Sequence, residues 1–202
     1  MLTFLLLLAM GATEPDRLTV VPVGEVDADV LRVLSNRLCV TFAISVAVAE
    51  AVTPPTSAYS ALRNQFRSSD ILDFLATRFV KRDSGHFQGH NCRFLAVTGV
   101  DLYAAGLSYV FGQADMVDRI AVVSLARLQE EFYRRPPSRT RFLGRAVREA
   151  IHELGHTYGL PHCPSSSCVM YFSENLPATD RKTSNFCPRC SAVLPRRSAE
   201  LR

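Results

Sequence analysis

The chain has 202 residues, of which 48% are hydrophobic and 21% charged, with a formal net charge of +4. That length suits one domain, or one domain divided by a cleft, and the composition is globular, which excludes a disordered or fibrous chain. The positive charge gathers in the C-terminal half at Arg135, Arg139, Arg141, Arg145, Arg148, Arg196, Arg197 and Arg202. No aromatic platform is interleaved with these arginines, so they read as a solvated basic face and no nucleic-acid partner is expected.

Residues 1–12 are apolar but too few to span a bilayer. The segment 1–16 reads as a leader: either the core of an export signal, with Ala9 and Gly11 at a small-residue cleavage site, or a local apolar stretch. The cytoplasm is the expected location, with export as the alternative, and no stable membrane insertion is expected.

Residues 18–24 read as a first strand ended by Gly24. Residues 27–38 predict a helix, with Asp27 as its N-cap and Val30, Leu31, Val33, Leu34 and Leu38 at near-helical spacing. Residues 40–48 are rich in β-branched side chains and predict a second strand. Residues 51–59, with Pro54 and Pro55, predict a loop. Ser69 or Asp70 caps a second helix running to Val80, and a glycine-containing loop follows over 81–91. Strands are predicted at 94–100, 107–111 and 120–125. After Pro136 and Pro137, Ser138 or Thr140 starts a helix that runs to Tyr158. Beyond Gly159 the chain lacks periodicity and must be held by something other than an apolar core. Strands that alternate with helices indicate an α/β fold with a mixed, mostly parallel twisted sheet and an antiparallel edge strand. The expected division is an N-terminal α/β part over 17–159, a small loop-rich C-terminal subdomain over 160–194, and a basic tail at 195–202.

The chemistry is concentrated in the last helix. His152 and His156 are four residues apart and lie on one helical face, so both imidazoles reach one ion. Leu143, Val147, Ile151 and Leu154 form the opposite, core-facing side. Gly159 provides a left-handed turn that brings His162 back to the metal. Three imidazoles leave the fourth zinc position open for water, the layout of a catalytic site. Glu153, beside the first ligand, is placed to act as general base on that water. Glu174 is the rival third ligand; its surroundings, Ser173 to Pro177, do not read as a helix, which favours His162.

Cys163, Cys168, Cys187 and Cys190 form two close pairs, and four thiolates suit a tetrahedral structural zinc. Two disulfides are the alternative. Two zinc ions per chain, one catalytic and one structural, are therefore expected. His86, His90 and Cys92 form a weaker constellation that reads as polar filler in a loop.

The run His152-Glu-x-x-His156-x-x-Gly159-x-x-His162-Cys163-x₄-Cys168-x-Met170, with Cys187-x-x-Cys190, resembles the signature of the archaemetzincins, a family of metzincin zinc peptidases. The likeness extends over about residues 18–194. Segments 18–24, 101–114 and 121–125 resemble the family's first strand, its substrate-side edge strand and the strand before the active-site helix. Ser108 and Tyr109 depart from the Asn-Phe expected there, and the apolar leader is additional. The resemblance implies that Met170 is the methionine of the Met-turn, an apolar floor beneath the catalytic ion. It also implies a monomeric zinc metallopeptidase that hydrolyses peptide or protein substrates. A zinc-stabilised module that binds peptide without cutting it is the alternative; an intact Glu153 favours the enzyme.

Overall fold

A computed structural model describes residues 16–80 and 92–194. The leader, the His86 and His90 constellation and the basic tail lie outside the described residues. In chain order the regular elements are β1 (Arg17–Val23), α1 (Ala28–Phe42), β2 (Ser45–Val48), β3 (Tyr59–Ser60), β4 (Gln65–Arg67), α2 (Ser68–Leu75), β5 (Cys92–Thr98) and β6 (Leu102–Tyr103). They continue with β7 (Gly112–Asp115), β8 (Ile120–Ser124), α3 (Arg139–Thr157), α4 (Leu176–Arg181) and α5 (Pro188–Ser191).

The main sheet has the order β2-β1-β5-β8-β7. Its pairings are parallel except for the last, where β7 runs antiparallel to β8 with Gly112 opposite Val123 and Ala114 opposite Ala121. The mostly parallel sheet with one antiparallel edge is thus as expected. Helices cover both faces, which explains why the central strands are near-continuous apolar runs. Leu18, Val20, Leu95, Val97, Ala121 and Val123 belong to one core cluster, with α1 and α3. Val21, Val23, Phe94, Ala96, Ile120 and Val122 belong to the other, with α2. The alternation follows from the two-residue period of a strand. Val169, Met170 and Leu176 of the C-terminal segment join the first cluster.

Several expectations are corrected. The β-branched residues from Val40 do not start a strand: α1 continues to Phe42 and ends at Ala43 in the left-handed region (φ 53°). Phe42 stacks on Tyr158 at 5.2 Å and meets Phe186 edge-on at 5.7 Å, so tertiary packing overrides local propensity there. The predicted loop from residue 51 leads into the β3–β4 hairpin, which forms a small second sheet with β6. The second helix starts at Ser68 with Arg67 in the N-cap position and no side-chain cap, so neither Ser69 nor Asp70 caps it; the Ser68 hydroxyl lies within hydrogen-bond reach of both the Tyr103 carbonyl and Gln113, and after Leu75 the coil widens into a π-turn over Ala76–Val80. The expected strand at 107–111 is displaced to Gly112–Asp115, with Val110 bridging Leu102. Leu176–Arg181 is helical because the Asn175 side chain accepts from the Ala178 amide at 3.0 Å and Pro177 sits in the first turn, where its missing N–H is no loss.

The basic face is also revised. Arg145 is 2% exposed and binds Glu130 and Asp180, tying α3 to α4 and to the preceding loop. Glu130 also meets Arg135 and Arg141, and Arg139 pairs with Asp27. The neighbouring guanidiniums, Arg141 first, hold the Glu130 carboxyl below the usual range. Among the described residues, no helix is long and apolar enough to cross a membrane.

Candidate active site and metal centres

The C-terminal half of α3 delivers His152, Glu153 and His156 beneath the β7 edge of the sheet. The helix stops at Thr157, and Gly159 adopts φ 82°, a value that only glycine takes cheaply. Its amide donates to the His156 carbonyl at 2.8 Å, and Leu160 donates to the Gly155 carbonyl at 3.2 Å. This reversal brings His162 to the other two imidazoles, with ring centroids 4.7 to 5.3 Å apart.

Ring orientation decides what the triad offers. His152 Nδ1 donates to the Val169 carbonyl at 2.8 Å, and His156 Nδ1 donates to the Leu160 carbonyl at 2.7 Å. Each Nδ1 therefore carries the proton and each Nε2 presents a lone pair. The two Nε2 atoms face each other at 3.1 Å, an arrangement that calls for a cation between them. One potential ligand atom from each histidine lies within 4.8 Å of the others. Burial is the main cause that pushes His152 well below the usual imidazole range, and His156 and His162 below it, which keeps them neutral as metal ligands must be. Three imidazoles at this spacing fit zinc. Glu174 is not part of the cluster.

Glu153 is 5% exposed. Burial, reinforced by the carboxylate of Glu149 one turn earlier, pushes its carboxyl well above the ordinary range, with Lys182 opposing. Glu149 is itself held by the Lys182 ammonium at 3.0 Å and the Thr179 hydroxyl at 2.9 Å. The fully buried Lys182 also reaches the Tyr171 carbonyl at 3.4 Å, linking α4 to the floor of the site. Met170 is fully buried against Gly155, where an added Cβ would lie 2.5 Å from the Met170 sulfur.

Cys163, Cys168, Cys187 and Cys190 converge in a second cluster, all four as free thiols. Cys163 Sγ and Cys187 Sγ are 3.8 Å apart. A tetrahedral ion with bonds near 2.3 Å to sulfur sets its sulfurs about 3.8 Å apart, so this set also fits zinc. The Cys187 thiol is pulled down to about 7, first by hydrogen bonding from the Cys190 backbone, which favours the thiolate. Cys39 is exposed and Cys92 half-buried, both apart from this cluster.

A cleft of about 600 Å³ contains all three histidines and Glu153. One wall runs from Leu107 to Met116 and includes β7; the other is Phe172 to Glu174. Phe172 lies against the His162 ring at 4.8 Å. Sequence reasoning did not single out Gly112, Glu149, Phe172 or Lys182. Glu149 was readable, since it stands four residues before Glu153 on the same helix; Lys182 has no local signal.

The sequence profile of Peptidase family M54 matches residues 19–196. The chain belongs to this family, the archaemetzincins. It is 38% identical to the archaemetzincin of Pyrococcus furiosus over 187 residues, covering 90% of this chain and 94% of that one. To the archaemetzincin of Methanopyrus kandleri it is 45% identical over 142 residues, 70% of this chain and 73% of that one. Among solved structures, the archaemetzincin of Archaeoglobus fulgidus complexed with malonate aligns with a TM-score of 0.73 and 33% identity, covering 88% and 99% of the two chains. A zinc-dependent peptidase from Methanocorpusculum labreanum aligns with a TM-score of 0.78 and 29% identity over 88% and 100%. As an archaemetzincin, the chain is a zinc metallopeptidase, a hydrolase acting on peptide or protein substrates.

Proposed function

We propose that this archaemetzincin is a metzincin-type peptidase in which His152, His156 and His162 hold the catalytic zinc and Glu153 is the general base. The observation that carries the reading is the pair of Nε2 lone pairs facing each other at 3.1 Å in the same cleft as the buried Glu153 carboxyl. Zinc, when bound, supplies Lewis-acid activation of the attacking water and of the scissile carbonyl. Glu153 accepts the proton from that water and passes it to the leaving amine. Its raised proton affinity, imposed by burial, suits both transfers near neutral pH. The carbonyls of Val169 and Leu160 fix two of the rings, so the ligands are oriented before metal arrives. Met170 is the floor of the turn beneath the site.

The β7 strand is the outermost of the main sheet, and its free edge borders the cleft. A substrate strand that pairs with the 107–114 segment gains main-chain hydrogen bonds independent of its side chains. Cys163, Cys168, Cys187 and Cys190 hold a second, structural zinc that orders residues 160–194 as a subdomain beneath 17–159. Thiolates kept for a metal favour a reducing compartment, hence the cytoplasm, and the protein works as a monomer. A broad peptide-library digest tests this function. Hydrolysis abolished by chelator and restored by zinc is expected; cleavage that persists after zinc removal contradicts it.

A further inference from the structure

The two walls of the cleft are joined by a hydrogen bond. The Tyr109 hydroxyl, on the upper wall, donates to the main-chain carbonyl of Glu174, on the lower wall, at 2.7 Å. Tyr109 is held from behind. The Arg127 guanidinium lies 4.2 Å from the centre of its ring, and Phe111 meets it edge-on at 5.5 Å. Arg127 is itself fixed by two hydrogen bonds to Asp101, at 2.6 and 2.8 Å, and by the Phe132 ring at 4.8 Å. The acceptor side is anchored as well, because Asn175, the next residue, caps α4. The bond thus joins two braced segments.

Its position along the cleft sets a length. An added Cβ at Gly112 would lie 2.5 Å from Glu153 Cγ, so Gly112 marks the level of the general base. Tyr109 is three residues away, at most about 10 Å along an extended chain. A substrate strand advancing about 3.3 Å per residue along this wall meets the crossing within about three residues. In the other direction the wall leads past Asp115 to Met116, which is 60% exposed.

We propose that the Tyr109–Glu174 bond is a latch that closes one end of the cleft and makes this archaemetzincin an end-trimming peptidase. It admits about three residues on the latched side of the scissile bond and a longer chain on the other. Tyr109 is thereby a specificity-determining residue. The proposal rests on the peptidase reading above, and its test has one arm that reads hydrolysis and one that does not.

In the first arm, linear peptides of about 14 residues and their backbone-cyclised counterparts are digested with the zinc-loaded protein, and fragments are sized by mass spectrometry. One fragment of three residues or fewer is expected from each first cut, with cyclic peptides at least about tenfold slower. Tyr109→Phe, which keeps the ring and removes the donor, shifts cuts inward and narrows the linear–cyclic gap. In the second arm, the same peptides carry a fluorophore and their binding to Glu153→Gln is measured by anisotropy, with and without Tyr109→Phe. Linear peptides bind more tightly, and the added Tyr109→Phe narrows the difference. First cuts that leave more than three residues on both sides overturn the latch. So does a linear–cyclic gap that is absent, or that Tyr109→Phe leaves unchanged, in either arm. No hydrolysis together with an intact, Tyr109-dependent binding gap would instead remove the peptidase reading and leave the latch standing.

Discussion

A single methyl group at Gly112 tests how tightly the Glu153 side chain is held. An ideal Cβ there would lie 2.5 Å from Glu153 Cγ, 2.6 Å from Glu153 Oε1 and 2.6 Å from the Val122 carbonyl. Carbon contacts settle near 3.5–4.0 Å, so the shortfall is about 1 Å. Val122 cannot recede: it lies in β8, between β5 and β7, and pairs with Gln113 across the antiparallel edge. The Glu153 side chain must therefore yield, or β7 must lift from the sheet. Overpacking of this kind costs about 1–3 kcal/mol, which lowers Tm by roughly 2–12 °C in a chain of this size. Displacing a reacting group by about 1 Å costs on the order of 10²-fold in rate. Gly112→Ala should then lose about a hundredfold in kcat/KM on a linear peptide while the zinc content of the histidine site stays intact. Activity within about threefold of the parent, with an unchanged melting temperature, would show that Glu153 is not braced by β7 and would refute the reasoning.

Two glycines of α3 should respond with opposite signs. Gly144→Ala meets only the end of the Arg148 side chain at 3.3 Å and should stabilise by about 0.5–1 kcal/mol, whereas Gly155→Ala drives into the Met170 sulfur and should lower Tm; a shared sign in thermal melts would contradict the packing. Glu149→Gln or Lys182→Met alone leaves a buried charge unpaired and should cost about 3–5 kcal/mol, while the double variant recovers much of it; additive losses in denaturant titrations would show that the pair is uncoupled. Native mass spectrometry of protein purified without added metal should show two zinc ions and six reduced cysteines, and one zinc fewer after Cys187→Ser with Cys190→Ser; one zinc with two disulfides in the parent would remove the structural site.

Much of the fold and of the grouping of the three histidines and the four cysteines was legible because the signals are local. His152 and His156 share a helix face by spacing alone, and the positive φ of Gly159 follows from its place just past the last turn. The four cysteines stand out by type and proximity. What escaped depends on partners distant in sequence or on segments too short to show a period. The strands Tyr59–Ser60 and Leu102–Tyr103 have two residues each, and β3–β4–β6 becomes a sheet only through tertiary pairing. Val40 and Thr41 favour a strand locally, yet Phe42 docks on Tyr158 and Phe186 and keeps them helical. Lys182 reads as a surface residue until Glu149, Thr179 and Tyr171 surround it. Tyr109 reads as an ordinary aromatic until Glu174 is seen across the cleft.

The central claim is that hydrolysis depends on Glu153 acting beside a zinc that it does not ligate. The most direct measurement is peptide turnover and zinc content of Glu153→Gln in one preparation. The account predicts a loss of turnover of about 10²–10⁴-fold with the same zinc content as the parent protein. Undiminished turnover, or loss of the histidine-site zinc along with activity, would contradict it.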